Sequence, residues 1–285
     1  FTGGWSGRRK NFWGFRFKKS GGRSKRSMSD PKVSVIIPTY NRASFVKEAL
    51  QSVFAQTFTD FEVIVVDDGS TDNTRKLLEP YFERIEYVTQ ENQGIAASRN
   101  RGILLSRGTY IAFLDSDDLW LPEKLSKQAD YLEAHPRVGL VSCHFWRYEV
   151  GNEGERTLYP KGFPHDFNEL SEGTNEIGTS GVMVRRRCLE AVGVFDPALP
   201  VAEDWELWLR VAKRFDIACL EEALVEYRYH PTNTTKDLAK VYEGYFRFYS
   251  KVLMLHGSAL SNIAFFKNRQ ASFQYLLGAT YLKRN

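Results

Sequence analysis

Three carboxylates fall within four residues at Asp115-Ser116-Asp117-Asp118, directly behind the apolar run Tyr110 to Leu114. Acids packed this closely repel one another unless a cation is present, and oxygen-only donors with no neighbouring His or Cys suit a hard ion, Mg²⁺ or Mn²⁺. Such an ion keeps open positions that diphosphate oxygens can fill. The competing reading is that Asp117 or Asp118 merely caps the helix that opens near Pro122. A second acid cluster, Asp67-Asp68-Gly69-Ser70, ends another apolar run. An acceptor-only carboxylate there can take the N–H of a uracil ring or a ribose hydroxyl, and the glycine lets backbone approach a ligand. Alone, the same residues also suit a turn with a helix cap at Ser70 or Asp72.

Pro38-Thr39-Tyr40-Asn41 follows the first apolar run. Tyr40 offers a ring for stacking on a base, and Asn41 is expected to cap the next helix. Glu203-Asp204-Trp205 opens a helical pattern in which Trp208, Val211 and Phe215 share the face of Asp204. Its carboxylate therefore points inward from a helix N-terminus, where the dipole favours the ionised form that a general base needs. An acid that only stabilises the helix end describes Glu203 equally well. Gly178-Thr179-Ser180-Gly181 fits either a wall of an acceptor pocket or a tight turn.

These residues need a scaffold that brings them to one edge. Short apolar runs alternate with helical stripes from residue 33, the pattern of an α/β domain with a largely parallel sheet. Strands are expected at Val33–Pro38, stopped by the proline, then Phe61–Val66, Ile85–Thr89, Tyr110–Leu114, Val138–His144, Gly178–Val184 and Leu224–Tyr229. Helical stripes run through Val46, Ala49, Leu50, Val53 and Phe54, through Thr74, Leu77, Leu78 and Tyr81, over Ile95–Ser106, through Leu125, Ala129 and Leu132, and over Glu203–Phe215. Three of the strands end in polar residues at the C-terminal edge, where open α/β sheets bind ligands. Val150 to Glu176 has no period and is expected to be a mobile loop; beyond Lys236 the pattern is aromatic-rich helix.

The net charge of +4 arises in residues 1–27, which hold nine Lys/Arg and no acid; the remainder stands at −5. A nucleic-acid-binding body is therefore excluded. The tail also carries Trp5, Phe12, Trp13, Phe15 and Phe17, a mixture compatible with an anionic membrane surface or RNA. Met28 stands just before a patterned strand, so residues 1–30 are expected to be a disordered basic tail or a non-native extension. No stretch reaches the ~18 apolar residues of a membrane span. Cys143, Cys188 and Cys219 lie far apart in apolar surroundings, which suits core packing in a reducing cytoplasm rather than disulfides or zinc.

VSVIIPTYNR, FEVIVVDDGSTDNT, ENQGIAASRNRG, YIAFLDSDDLWLP and VAEDWELWLR resemble, in order and spacing, the family 2 glycosyltransferases of the GT-A fold. The resemblance covers residues 31 to about 230. It implies a Rossmann-like α/β/α sandwich around a mostly parallel mixed sheet over 31–235, with residues 236–285 as a helical extension that the natural chain is expected to continue. It further implies a nucleotide-diphosphate sugar donor, with a UDP-sugar favoured, inversion at the anomeric carbon, and Mn²⁺ or Mg²⁺ as cofactor. Pro38, Tyr40, Asn41, Asp68, Gly94 and Arg99 would surround the nucleotide, with Asp67 supporting the loop. Asp115 and Ser116 would approach the ribose or the metal's water shell, Asp117 would ligate the metal, and His230 would reach toward the diphosphate and metal. Asp118 would be an outer-shell partner or a cap. Asp204 would be the base, assisted by Glu203. The acceptor would be a glycan, a lipid-linked glycan or another hydroxyl compound in cell-surface polysaccharide synthesis, with the enzyme cytoplasmic or peripheral on the cytoplasmic face.

Other classes fit less well. A magnesium-dependent phosphoacceptor signalling domain pairs its acids after the first strand, which here ends in PTYN. A non-catalytic nucleotide- or sugar-binding module would not need the full set of acids. A nucleotidyltransferase would need a glycine-rich basic loop at the first strand.

Overall fold

The computed structural model describes residues 30–159, 163–164, 166–172, 177–260 and 262–282. The tail expected over 1–30 therefore lies outside the described residues but for Asp30. The first half runs β1 (Val33–Thr39), α1 (Ala43–Phe54), β2 (Phe61–Asp67), α2 (Thr74–Leu78), β3 (Glu86–Thr89), α3 (Ile95–Leu105) and β4 (Tyr110–Phe113). The second half adds β5 (Leu119–Trp120), α4 (Lys124–Ala134), β6 (Val138–Glu149), β7 (Thr157–Tyr159), α5 (Phe167–Glu172), β8 (Met183–Arg185), α6 (Arg186–Val192), α7 (Glu203–Ala212), β9 (Asp216–Tyr229), α8 (Leu238–His256) and α9 (Ile263–Leu282).

The strands form one sheet in the order β3-β2-β1-β4-β8-β6-β9-β5, with β7 added to β6. β1 to β4 are parallel, and all seven residues of β1 are buried, as a strand covered on both faces requires. Odd residues of β1 (Val33, Val35, Ile37) pack under α1 with Val46, Leu50 and Val53. Ile36 faces the other way, into a core with Phe113, Trp205, Trp208 and Phe248. α8 belongs to that second core, where Phe248 stacks on Trp205 at 4.4 Å between ring centroids.

Register sets the ligand edge. Thr39 pairs with Asp67, so the PTYN and DDGS loops leave the sheet side by side. The β4 ladder on β1 ends at Ile36 and Phe113, which brings Asp115 to the same rim. The strand expected to stop at Pro38 continues to Thr39. Ile36 accepts from Leu114 on the β4 side, and the missing N–H of Pro38, two residues on, points to that same side after the ladder has ended.

Other boundaries also differ. β6 extends to Glu149, and β9 begins at Asp216 rather than Leu224 because register shifts at Leu140, His144 and Phe145 break the alternation that would advertise it. Gly178 to Val184 is a 3₁₀ turn, Thr179–Gly181, followed by the short β8. The stripe through α2 is interrupted: Thr74 and Leu78 are buried, Leu77 is exposed, and the helix gives way to a 3₁₀ turn, Glu79–Tyr81. The described part of 150–176 carries β7 and α5. Among the described residues no helix is long and apolar enough to cross a membrane. The three cysteines are free, Cys143 and Cys188 buried and Cys219 half-buried.

Candidate active site

The loops behind β1, β2 and β3 form the first wall, in which Asp67 and Asp68 each accept from two or more neutral donors. Asp67 accepts from Ser70 N (2.8 Å) and from the Tyr87 hydroxyl (2.5 Å). Asp68 accepts from Gln90 Nε2 (2.8 Å), Gln93 N (2.9 Å) and Gly94 N (2.8 Å). Gly94 opens α3 at φ 88°, a left-handed conformation that costs glycine little. Tyr40 stands 44% exposed on the rim, ring available, with Pro38 buried beneath it in β1.

Asn41 does not cap α1. At φ 51° its side chain turns across the loop, where Oδ1 accepts from Thr71 N (2.8 Å) and the backbone N–H donates to Ser70 Oγ (2.9 Å). The first-turn amide of α1 at Ala43 is taken instead by Asp72 Oδ2 at 3.0 Å, from the neighbouring loop. A left-handed Asn is tolerated because its short polar side chain bonds locally.

The second wall is the loop between β4 and β5. Asp118, 2% exposed, accepts from Ser180 Oγ (2.5 Å) and from Arg228 N (3.2 Å). The carboxyl groups of Asp118 and Asp115 both lie above the usual range, first through burial. For Asp118 the charges of Asp117 and Asp115 add to this. For Asp115 the Arg99 guanidinium opposes it more than Asp117 adds. Ser116 is buried between them. β5 pairs with β9 at Leu119–Glu226 and Trp120–Val225, and that ladder carries Arg228 and His230 over the aspartates. His230 Nε2 lies 3.1 Å from Asp117 Oδ2, its Nδ1 lies 3.0 Å from Thr232 Oγ1, and its ring stacks on Phe45 at 4.6 Å. Arg42 Nε approaches Asp117 Oδ2 at 3.5 Å.

The third wall is the N-terminus of α7, entered through Ala202 at φ 63°. Arg99, expected beside the nucleotide, is buried at 2% exposure and joins two walls. Its Nη1 donates to Glu203 Oε1 and its Nη2 to Asp115 Oδ1, each at 2.6 Å. Burial, then the Asp204 charge, pushes the Glu203 carboxyl up to about 7 against the pull of Arg99. Asp204 accepts from Thr179 Oγ1 (2.9 Å) and from Trp205 N (2.7 Å). Asn100 fixes α3 to the segment before α7 through paired bonds with the backbone of Phe195, 2.9 and 3.0 Å. Gly102 lets α3 lie close on β1, since a Cβ there would stand 2.4 Å from Ile36 Cγ2.

The donor chemistry suits a hard divalent ion. Asp117 and His230 converge, while Asp115 and Asp118 are crowded acids whose charge a cation would relieve. Among the described residues no cluster of three or more His, Cys, Asp or Glu side chains forms a cation cage. The remaining ligands would come from diphosphate and water, as Mg²⁺ and Mn²⁺ ordinarily permit.

One contributor escapes the sequence, and another, in the segment read as a pocket wall or a tight turn, is legible only in part. Arg42 follows PTYN with nothing to show that it faces Asp117. Ser180 meets Asp118 across 62 positions of chain, and no local pattern announces that contact.

Residues 34–193 match the family description Glycosyl transferase family 2. An uncharacterized glycosyltransferase of Rickettsia typhi is 28% identical over 281 residues, 90% of this chain and 87% of its own. The Bacillus subtilis protein TuaG, named for teichuronic acid biosynthesis, is 33% identical over 204 residues, 70% of this chain and 79% of its own. Among solved structures, Staphylococcus aureus TarS in complex with UDP-GlcNAc superposes with a TM-score of 0.61 at 22% identity, covering 86% of this chain and 72% of that one. A mannosyltransferase from Pyrobaculum calidifontis in complex with GDP-Man and Mn²⁺ gives 0.62 at 20% identity, covering 90% and 76%. With acids from three loops gathered on the rim of this mixed sheet and the family match extending over more than half its length, the chain belongs to glycosyl transferase family 2 and is a glycosyltransferase of GT-A fold.

Proposed function

We propose that the chain is a metal-dependent inverting glycosyltransferase that moves a sugar from an NDP-sugar, a UDP-sugar by preference, to an acceptor hydroxyl. The observation that carries this reading is the joining of the loop bearing Asp115 to Asp118 with the helix bearing Asp204, through Arg99 on one side and the Thr179-Ser180 turn on the other. Such a link holds a proton acceptor and a diphosphate-binding loop in fixed relation.

In this reading Asp204 takes the proton of the acceptor hydroxyl as its oxygen bonds to the anomeric carbon. The bond from that carbon to the diphosphate oxygen breaks in the same step, so configuration inverts and no covalent sugar–enzyme intermediate forms. Glu203, held by Arg99, assists by keeping α7 in place. Asp117 and His230 would hold Mn²⁺ or Mg²⁺, with Asp115 and Ser116 beside it. When bound, the cation supplies positive charge to the leaving diphosphate. Tyr40, Pro38 and Gly94 line the nucleotide, and Asp68 keeps the 90–94 loop shaped around it. The UDP-GlcNAc complex of TarS and the GDP-Man and Mn²⁺ complex of the mannosyltransferase support donor class and cofactor. The TuaG relation supports cell-surface polysaccharide as product, with a glycan or lipid-linked glycan acceptor and a cytoplasmic or membrane-peripheral location.

Asp204→Asn is expected to cut turnover by ~10²–10⁴-fold while UDP still binds in Mn²⁺, measured by nucleotide release and calorimetry. Loss of UDP binding as well would assign Asp204 a structural role. Chelator is expected to abolish activity reversibly, and Asp117→Ala to weaken UDP binding only when Mn²⁺ is present. Undiminished turnover in chelator overturns the metal assignment.

A further inference from the structure

We infer that the Thr179-Ser180 turn is a positioning device for catalysis, in which Thr179 orients the Asp204 carboxylate and Ser180 holds the aspartate loop at a set distance from it. The inference rests on the reading of Asp204 as the base.

Both residues are buried, at 5% and 4% exposure, and lie in one 3₁₀ turn. The turn is anchored from below. Trp120 Nε1 donates to Ser180 O at 2.8 Å, Gln128 Nε2 donates to Gly181 O at 2.7 Å, and the turn closes on itself through Gly181 N to Gly178 O at 2.9 Å. On this fixed base the two neighbouring hydroxyls diverge. Thr179 Oγ1 donates to Asp204 Oδ2 at 2.9 Å, while Ser180 Oγ donates to Asp118 Oδ2 at 2.5 Å and accepts from Asp115 N at 3.1 Å.

Consecutive Cα atoms are ~3.8 Å apart across a trans peptide, so one rigid peptide unit sets the spacing between the two sides of the site. Thr179 is also β-branched, which restricts the rotamer presenting its hydroxyl. With Trp205 N on Oδ1 and Thr179 on Oδ2, both oxygens of Asp204 have a donor and the carboxylate plane is defined. Removing Thr179 takes away one of the donors that aim the carboxylate, and a misaimed base loses rate without loss of nucleotide affinity.

The test compares Thr179→Val, Thr179→Ser and Ser180→Ala with wild type. Turnover is read as UDP release from the UDP-sugar that the wild type consumes, and binding is read with UDP and Mn²⁺ by calorimetry. Thr179→Val is expected to lower kcat ~10- to 100-fold with donor KM and UDP affinity unchanged within twofold. Thr179→Ser, which restores the donor, is expected to recover most of that loss. Ser180→Ala is expected to weaken UDP binding in Mn²⁺. Wild-type kcat in Thr179→Val overturns the inference, as does a parallel loss of kcat, UDP affinity and melting temperature, which marks a merely structural residue. Asp204→Asn separates the two levels. If that variant keeps wild-type turnover, the base assignment fails; if it is inactive while Thr179→Val is fully active, only the positioning inference fails.

Discussion

Asp67-Asp68 and Asp117-Asp118 are both acid pairs that follow apolar strands of one sheet, yet their surroundings divide them. The first pair is satisfied by backbone amides, a glutamine and a tyrosine, all neutral donors from adjacent loops. The second sits among Asp115, Arg42, Arg228 and His230, and burial with the charges of Asp117 and Asp115 raises the proton affinity of Asp118. Hydrogen bonds from neutral groups shape a loop without gathering charge. Crowded charge is a different condition, because it is relieved only by a cation or a proton. The same sequence signature thus builds a hydrogen-bonded wall in one place and a crowded group of charges in the other.

The contrast breaks most visibly at Arg99, the buried cation that serves the second region alone. Arg99→Met leaves Asp115 and Glu203 without their counter-charge and should destabilise the fold by ~3–5 kcal/mol in urea unfolding, with Arg99→Lys intermediate. A loss under ~1 kcal/mol would mean that the acids simply take up protons at little cost. In the first region the corresponding change is milder. Asp68→Asn replaces one acceptor oxygen by a donor facing the amides of the 90–94 loop, a cost of ~1–3 kcal/mol. Faster hydrogen exchange at Gln93 and Gly94 and weaker UDP binding should accompany it.

The smallest effect is a slope. Glu203, buried and beside Asp204, is pushed up to about 7 from the 4.5 of a free glutamate. Its proton is held more tightly in the folded chain, so its contribution to stability is fully present below about pH 4.5 and lost as pH rises through about 7. Glu203→Gln should flatten that fall in urea midpoints measured across the window. An unchanged slope would place the titration elsewhere in the cluster.

Much of the scaffold is legible in the sequence. The buried strands of the first half and the stripe Val46, Ala49, Leu50, Val53 are local periodicities, and local periodicity survives folding. The second half is less so. β5 and β7 have two and three residues, too few to show alternation, and the bulges of the β6–β9 pair hide the start of β9. Lys124 stands inside the stripe of α4 and is wholly buried over the Trp120 ring, its amine 2.7 Å from Gln128 and pushed down to about 8 by burial. A lysine there reads as a solvated residue until the packing is seen.

The sequence by itself determined that acids would stand at the ends of parallel strands, since strand ends and acid clusters are properties of consecutive residues. The partner of each acid was decided only by tertiary structure. Asn41 could cap its own helix or cross to the next loop, and Arg99 could face a nucleotide or join Asp115 to Glu203. Glu203 lies 104 positions from Arg99. Hydrogen bonds and ion pairs act over a few ångströms, so residues that far apart in sequence are selected by the close approach of α3, β4 and α7 in the folded sheet, which no pattern of neighbours encodes.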